Sequence, residues 1–377
     1  MPRSPRTSPS RGAITGYVMK LIRESLPVSQ EHLAADLGVD LATVQSWETG
    51  RRPFTATAFG RTIAIRNQLA HLGADPPLLA TIDDAAHADY LLGQLLDTDP
   101  ETADLNQHAL GWSVLTHQVT DLIHWAAVGK TPAALAPAVA AAPARGRRGP
   151  VAAAPTLDPA QRAAFFTNTQ VLADRSIGHD DRLATLHRQA CFLAGIDPTG
   201  ASASWLSRIT KSTKTLSTFP TWNRRWPAAR SVATSLAQQG DPEPLRDFIT
   251  RAHPDDTCGL AALNYSAYWV GELRHRQHDD AFMTDPRLPW RGTLLLRHLI
   301  DRLRPGHPFL DLNIHNLWLL LTARPGILND DPALSRDLIT ASQRLLDSGG
   351  LWTQSHTELT CVYYGVRMDA PPQSGTR

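Results

Sequence analysis

Two short runs of histidine and aspartate contain the residue types that could bind a metal ion. They are His179-Asp180-Asp181 and His278-Asp279-Asp280, and His275 precedes the second run. Metal binding requires neutral imidazoles and carboxylates that converge on one point. Both runs lie at predicted helix ends, where charged caps in contact with solvent are common, and the sequence has no glycine-rich phosphate loop, nucleophile elbow, HExxH motif or paired-cysteine site. We therefore expect no metal, no cofactor and no catalytic residue, and predict that the protein is not an enzyme.

A second candidate is the segment 26–53, LPVSQEHLAADLGVDLATVQSWETGRRP, which has the spacing of two short helices joined by a tight turn. Ser29 is a favourable N-cap for the first helix. Gly38 follows the last turn of that helix, where a left-handed C-cap favours glycine. Val44 and Trp47 then form the apolar stripe of the second helix. The segment is therefore expected to pack as a helical pair.

The second helix begins after Asp40, another favourable N-cap, and has an outward face that is small and uncharged. The residues predicted on this face are Leu41, Ala42, Thr43, Gln45 and Ser46. Two short helices, a glycine turn and such a face are the pattern of a helix-turn-helix, whose second helix enters the major groove of DNA. The alternative interpretation is a helical hairpin that only packs against the rest of the chain.

The segment resembles the Cro/repressor-type (XRE-like) helix-turn-helix family over about residues 16–72. The residues at the family's intervals are Gln30, Ala34, Gly38, Val44 and Trp47, and ETGRR follows the second helix as the family's usual ending does. The resemblance implies that the outward face from Leu41 to Ser46 contacts base edges. It also implies that Gln30, Arg51 and Arg52 contact phosphates, and that Arg23 pairs with Glu48 to brace the motif.

One departure from the family concerns Leu41, which stands at a position that is often polar there. With Ala42 beside it, this position offers apolar contact to thymine methyl groups but no bidentate bond to guanine or adenine. The hydrogen-bonded readout must then come from Thr43, Gln45 and Ser46, unless the N-terminal arm or the shape of the DNA supplies it.

Charge is unevenly distributed along the chain, although the net charge is only +1. Residues 1–73 contain nine basic and five acidic residues, whereas residues 74–130 contain nine acidic residues and one basic residue. A basic head that meets a polyanion should leave the acidic segment pointing away from it. The arm at residues 1–14 carries Arg3, Arg6 and Arg11, which could enter an adjacent minor groove or belong to a disordered tail.

The 377 residues, 42% of them hydrophobic, are enough for two or three domains. Helical patterns dominate and only TCVYYGV, residues 360–366, reads as a strand, so we predict an all-α protein. The predicted parts are a flexible basic arm (1–14), a helix-turn-helix domain (15–73), an acidic helical neck (74–130), an Ala/Pro-rich linker (131–157), a larger helical, solenoid-like or otherwise arrayed domain (158–368) and a tail (369–377).

The sequence predicts a cytoplasmic protein. No apolar run approaches the ~20 residues that a membrane span requires, and no apolar stretch follows the basic N-terminus as in a secretory signal. The three cysteines, Cys191, Cys258 and Cys361, lie far apart and are expected to be small core residues in a reducing compartment.

The acidic neck contains a heptad-like repeat. Its two interleaved rows are Leu105, Trp112, Val119 and Ala126, and His108, Leu115 and Leu122. An a/d seam of this kind predicts a dimerisation helix, and a homodimer would allow two heads to read two half-sites. A helix buried in the core of its own domain would show the same spacing.

The C-terminal domain contains a basic and aromatic cluster, Trp222, Arg224, Arg225 and Trp226. The cluster could bind an acidic ligand, or its tryptophans could be core residues and its arginines solvated. By analogy with other regulators, a large helical domain behind a DNA-binding head senses a small molecule or binds a partner protein.

Together these features predict a bacterial transcriptional regulator that binds a two-fold double-stranded DNA operator as a homodimer. Repression and activation are both open on the sequence, and repression is the working expectation. One alternative is an adaptor whose head only tethers it to DNA while the C-terminal domain recruits a protein. Another is a metal-dependent nucleotide-handling enzyme, since the two His-Asp-Asp runs are similar to fragments of the HD phosphohydrolase pattern.

Overall fold

The computed structural model describes residues 12–142, 154–177, 183–212, 221–252, 255–329 and 331–369. Within these ranges the regular structure consists of seventeen α-helices and short 3-10 turns, with no β-strand. The all-α prediction is confirmed for this part of the chain. The strand prediction for residues 360–366 is wrong, because they lie inside the helix Thr353–Asp369, where Leu359, Val362 and Val366 are buried at helical spacing.

The chain folds into two compact units, the first formed by residues 1–109 and 117–175 and the second by residues 110–116 and 176–377. The helices that begin in the first unit are α1 (Ala13–Ser25), α2 (Gln30–Leu37), α3 (Leu41–Glu48), α4 (Phe59–His71), α5 (Pro76–Asp97), α6 (His117–Val128), α7 (Ala136–Ala141) and α8 (Pro159–Ser176). These units do not coincide with the predicted domains, since the predicted head and most of the acidic neck belong to the first unit, whereas residues 110–116 of the neck belong to the second.

Helix α1 lies in the core of the first unit, packed against α3, α5 and α7. Its residues Ile14, Val18 and Ile22 have no exposed surface. The ring of Tyr17 on α1 makes an edge contact with Trp125 on α6, with ring centroids 5.1 Å apart. The helical head and the acidic segment therefore share one hydrophobic core.

The prediction that residues 105–126 form one continuous helix is wrong, because the segment is interrupted. It contains 3-10 turns at Leu105–Gln107 and Ala109–Gly111, and α6 begins only at His117. The members of the seam on α6 are buried inside the first unit: Val119, Leu122 and Ala126. Their spacing thus reflects burial within the chain, and the homodimer stays a prediction.

The predicted linker contains ordered structure where it is described. Helix α7 begins with Pro137 in its first turn, a position that tolerates the missing proline N–H. Leu135 before it is buried, and the backbone N–H of Leu157 donates to the carbonyl of Ala126 at 2.8 Å. Residues 143–153, which include the basic part of the linker, lie outside the described ranges.

Helix α8, predicted to open the C-terminal domain, instead packs on the acidic segment. The side-chain amide of Asn168 donates to the carbonyl of Leu95 at 2.6 Å. The guanidinium of Arg175 donates to the carbonyl of Ala103 at 3.1 Å. These long-range bonds attach α8 to the end of α5 and the loop after it.

The second unit contains α9 (Ala184–Gly195), α10 (Ala201–Ser212), α11 (Trp226–Gln238), α12 (Glu243–Arg251), α13 (Asp256–Trp269), α14 (Thr293–Asp301), α15 (Leu310–Ala323), α16 (Pro332–Ser348) and α17 (Thr353–Asp369). Helix α15 packs against α12, α13, α14 and α17, and its residues Ile314, Leu317 and Leu320 have no exposed surface. In a solenoid each repeat contacts only its neighbours. Helix α15 instead contacts helices that are two or three positions away in the order, which differs from a simple solenoid.

Two of the three cysteines occupy the predicted environment. Cys191 and Cys258 are buried, but Cys361 is exposed on α17, so the prediction is wrong for that residue. Cys361 precedes the buried Val362 by one position and thus points away from the face that packs.

The second His-Asp-Asp run has a structural use in the fold. The side chain of Asp279 accepts a hydrogen bond from the N–H of Ala281 at 2.9 Å and caps the 3-10 turn Asp280–Thr284. Asp280 pairs with Arg188 at 2.5 Å. Residues 179–181 lie outside the described ranges, and within those ranges no group of three or more histidine, cysteine, aspartate or glutamate residues is placed to hold a metal ion.

None of the described helices has the length and apolar character needed to cross a membrane.

Candidate nucleic-acid interface

Helix α2 begins and ends where its capping residues predict. The hydroxyl of Ser29 accepts a hydrogen bond from the N–H of His32 at 3.1 Å. Gly38 adopts the left-handed conformation with φ of 59°, which lets the N–H of Val39 donate back to the carbonyl of Ala34 at 3.0 Å. The turn after Gly38 therefore directs the chain into α3.

Helix α3 is held from behind by its apolar stripe. Val44 and Trp47 are 1% and 3% exposed, and the ring of Trp47 makes an edge contact with Phe54 at 5.3 Å. Asp40 occupies the N-cap position, but its side chain accepts no hydrogen bond from the helix. Packing of the stripe, more than the cap, fixes the orientation of α3.

The outward face of α3 is accessible along its length. Ala42 is exposed, and the other predicted base-contacting residues are half-buried: Leu41, Thr43, Gln45 and Ser46. The hydroxyl of Ser46 donates to the carbonyl of Ala42 at 2.6 Å, which leaves only its acceptor capacity for another group. Neither Thr43 nor Gln45 has a side-chain hydrogen bond to any residue in the described ranges. Their polar atoms are thus available to a ligand.

Arg23 on α1 and Glu48 at the end of α3 form a buried ion pair, as the family resemblance implies. Arg23 Nε lies 2.5 Å from Glu48 Oε1, and Arg23 Nη2 lies 3.1 Å from Glu48 Oε2. The exposed fractions of the two side chains are 5% and 1%. Arg23 also donates to the carbonyl of Val28 at 3.1 Å, so the pair ties α1, the loop before α2 and α3 together.

Gln30, at the first position of α2, joins this network. Its side-chain amide donates to Glu48 Oε2 at 2.7 Å. A carboxamide NH₂ has two N–H donors, so one of them is used inside the protein and the other is available. The predicted phosphate contact of Gln30 would therefore come from a side chain already fixed in position.

Of the arginines predicted to contact phosphates, two lie in the described part of the chain and three lie outside it. Arg51 and Arg52 are exposed in the turn after α3, and Arg51 Nε lies 3.4 Å from the hydroxyl of Thr49. Arg3, Arg6 and Arg11 lie outside the described residues. Arg51 and Arg52 thus present exposed cationic groups directly after α3.

Arg61 on α4 is a positioning residue that the sequence did not indicate. Its Nη2 donates to the carbonyl of Leu37 at 2.6 Å and to the carbonyl of Gly38 at 3.0 Å. These carbonyls end α2 and begin the turn, where helix C-termini leave acceptors unpaired. Gln68 on the same helix donates to the carbonyl of Asp36. Helix α4 therefore braces the turn between α2 and α3 from outside.

Asp89 on α5 is a second positioning residue without a sequence signal. Its carboxylate accepts hydrogen bonds from the N–H groups of Ile14 and Thr15 at 3.1 and 2.8 Å, and from the hydroxyl of Thr15 at 2.6 Å. A carboxylate at a helix N-terminus is favoured by the unpaired N–H groups and by the dipole. Burial raises the pKa of Asp89 to about 6, and the hydrogen bonds from Thr15 and Ile14 oppose that rise.

The basic and aromatic cluster of the second unit is not a joint site. Trp226 is fully buried, and its indole N–H donates to the carbonyl of Ala252 at 2.6 Å. Arg224 and Arg225 are exposed, and Trp222 is half-buried. The tryptophan at the start of α11 thus belongs to the core, while the neighbouring arginines face solvent.

Comparison of the chain with known proteins found no relative. No family model matches the chain, and no curated protein or solved structure matches it.

Proposed function

We propose that the chain is a sequence-specific DNA-binding transcriptional regulator that acts in the bacterial cytoplasm. In this proposal α2, the turn at Gly38 and α3 form a helix-turn-helix, in line with the resemblance to the Cro/repressor-type family. The observation that carries the proposal is the outward face of α3, which is accessible and uncharged while Val44 and Trp47 hold the helix from behind.

Base recognition would fall mainly on Gln45. Its carboxamide can donate and accept at once, as recognition of the adenine edge requires. Thr43 would add a second polar contact, and Ser46 would act as an acceptor because its hydroxyl proton is bound to Ala42. Leu41 would contact thymine methyl groups, so the preferred site should be rich in A·T pairs at the positions facing α3.

Phosphate contacts would provide most of the affinity and its salt dependence. Arg51 and Arg52 are the exposed cations next to α3, and Gln30 retains one N–H donor near the start of α2. The arm with Arg3, Arg6 and Arg11 would add further contacts.

A single α3 can read only a few base pairs, so we propose that a homodimer binds a two-fold operator. The half-sites would then lie one helical turn, about 34 Å, apart. The second unit would act as the regulatory part that responds to a small molecule or a protein. An operator that overlaps a promoter would give repression.

The direct experiment is selection of bound duplexes from a randomised library by the full chain and by Gln45→Ala. We expect the full chain to enrich a two-fold sequence and Gln45→Ala to lose preference at one position in each half-site, by about 1–3 kcal/mol. Gln118→Ala is the matched control, because Gln118 is an exposed glutamine on α6 of the same unit. An enriched sequence that is identical for the wild type and Gln45→Ala would remove Gln45 from base recognition, and no enrichment at all would contradict the proposed function.

A further inference from the structure

Two arginines of the second unit lie over the same aromatic ring. The guanidinium carbon of Arg188 on α9 is 5.4 Å from the ring centroid of Tyr265, and that of Arg230 on α11 is 4.6 Å from it. Tyr265 is 7% exposed and stacks on Trp269 at 6.1 Å between centroids. Both cations are therefore placed against an apolar wall formed by α13.

Only one of the two arginines has a counter-ion. Arg188 binds both carboxylate oxygens of Asp280, with Nε at 2.9 Å from Oδ2 and Nη2 at 2.5 Å from Oδ1. Within the described ranges Arg230 pairs with no carboxylate, and its side-chain partner is Tyr265. Arg230 is half-buried. The side chain of Asp280 pairs with Arg188, and no ion pair within the described ranges joins it to Arg230.

The pKa values of the two arginines shift in opposite directions. Burial acts to lower the pKa of Arg188, but the attraction of Asp280 and Tyr265 outweighs it and the pKa is raised. Burial lowers the pKa of Arg230, with the charge of Arg188 acting in the same direction and Tyr265 opposing it. An arginine cannot give up its proton at neutral pH, so Arg230 stays a charged group without a carboxylate.

A desolvated guanidinium without a counter-ion is costly, and it is also the side chain best suited to bind oxyanions. Its planar set of five N–H donors matches a carboxylate or a phosphate in bidentate geometry. The contact with Tyr265 holds the guanidinium in one plane, which reduces the entropy lost when an anion binds. The partial exposure of Arg230 leaves a route from solvent.

We propose that Arg230 forms an oxyanion-binding site in the second unit, and that its ligand is a small molecule carrying a carboxylate or a phosphate group. Arg230 binds the anion directly, Tyr265 positions the guanidinium, and the Arg188–Asp280 pair keeps a second cation nearby without competing for the ligand. The view that this molecule is the effector of the regulator rests on the proposed function; the binding site does not.

The test is a titration of the full chain with inorganic phosphate and, in a separate arm, with acetate, at ionic strength held constant by chloride. Calorimetry and tryptophan fluorescence follow binding without DNA, the latter because Trp269 stacks on Tyr265. We expect saturable binding of at least one anion at millimolar concentrations. Arg230→Gln should weaken that binding at least tenfold, whereas Arg287→Gln, which removes an arginine whose side chain is 87% exposed, should change it less than twofold.

Two results would overturn the site: no saturable binding in either arm, or equal loss of binding in both variants, which would mark an adventitious surface ion only. Tighter binding in the phosphate arm would identify a phosphorylated ligand, and tighter binding in the acetate arm a carboxylic acid. Because these measurements contain no DNA, their failure leaves the proposed DNA binding untouched. Failure of duplex selection likewise leaves the anion site standing.

Discussion

The two units differ in the partners of the arginines in their interiors. In the first unit Arg23 has a bidentate carboxylate, a backbone carbonyl and a neighbouring glutamine amide that shares the same carboxylate. In the second unit Arg188 has a bidentate partner in Asp280. The partner of the neighbouring Arg230 is the side chain of Tyr265. A buried charge with all its bonds made inside the chain fixes the positions of helices. Arg230 is half-buried and has no carboxylate partner in the described ranges, and in our proposal its guanidinium binds an anion from solvent.

The largest expected effect comes from breaking the brace in the first unit. Glu48→Gln removes the bidentate partner of the buried Arg23 and leaves it only Glu24, whose Oε1 lies 3.5 Å from Nη2. We therefore expect a loss of about 3 kcal/mol in the free energy of unfolding. Chemical denaturation measures this loss, and duplex binding should fall with it because α3 loses its attachment to α1. Glu101→Gln, which changes an exposed glutamate of the same unit, is the control and should cost no more than about 0.5 kcal/mol. Equal stability of Glu48→Gln and the wild type would show that the pair is not a brace.

The second effect concerns the buried carboxylate of Asp89. Its pKa in the folded chain, about 6, lies above the value near 3.9 of an unfolded aspartate, so the folded state binds the proton more tightly. The contribution of Asp89 to the free energy of unfolding should therefore be fully present below pH 4 and should fall by about 3 kcal/mol as the pH rises through 6. Asp89→Asn should remove that dependence.

Denaturation midpoints measured from pH 4 to 7 check this prediction. Asp83→Asn is a suitable control, because Asp83 is an exposed carboxylate of the same helix that pairs with Arg66 at 2.8 Å. It should leave the pH profile as in the wild type. A profile for Asp89→Asn that still falls as steeply would assign the pH dependence to other groups.

A smaller effect is expected at the exposed cations beside α3. Arg51→Ala should weaken binding to every duplex by a similar factor and should reduce the slope of log affinity against log salt by about one unit. Fluorescence anisotropy over a salt series measures the slope. Arg251→Ala, which removes an arginine with a 51% exposed side chain from the second unit, should leave it unchanged. An unaltered slope for Arg51→Ala would exclude a phosphate contact at this residue.

The smallest expected effect is the change in stability when Arg230 is replaced, which can be compared with the same replacement of Arg188. Arg230→Met replaces a charge that has no counter-ion by an apolar side chain of similar length, so stability in chloride buffer should not fall and can rise. Arg188→Met, in contrast, leaves Asp280 buried without its partner and should be strongly destabilising. Thermal unfolding of the two variants side by side makes the comparison. A large loss of stability in Arg230→Met would show that Arg230 serves the fold.

The sequence predicted the features that depend on neighbouring residues. The Ser29 cap, the left-handed Gly38 and the buried Val44–Trp47 stripe all follow from interactions within a few positions, and all are present. The heptad-like pattern failed because burial in any amphipathic segment produces similar spacing. Here the segment is broken before His117.

Residues whose partners are distant in the sequence could not be found in this way. Asp89 caps a helix 74 residues earlier, and Arg61 reaches back 24 residues to Leu37. The sequence left two interpretations of Arg224 and Arg225 open, a ligand-binding cluster or solvated arginines beside core tryptophans. In the structure both arginines are exposed beside the buried Trp226. Arg230 stands out only once α9, α11 and α13 are placed together, because its distinguishing property is a missing partner in space.

The most direct test of the central claim, that the accessible face of α3 reads base sequence, is an equilibrium competition experiment. The purified full chain is bound to its selected duplex at physiological salt and displaced by either the same duplex or one of scrambled sequence and equal composition. We predict that the selected duplex competes at least about 10³-fold better. Equal competition by the two duplexes would contradict the account.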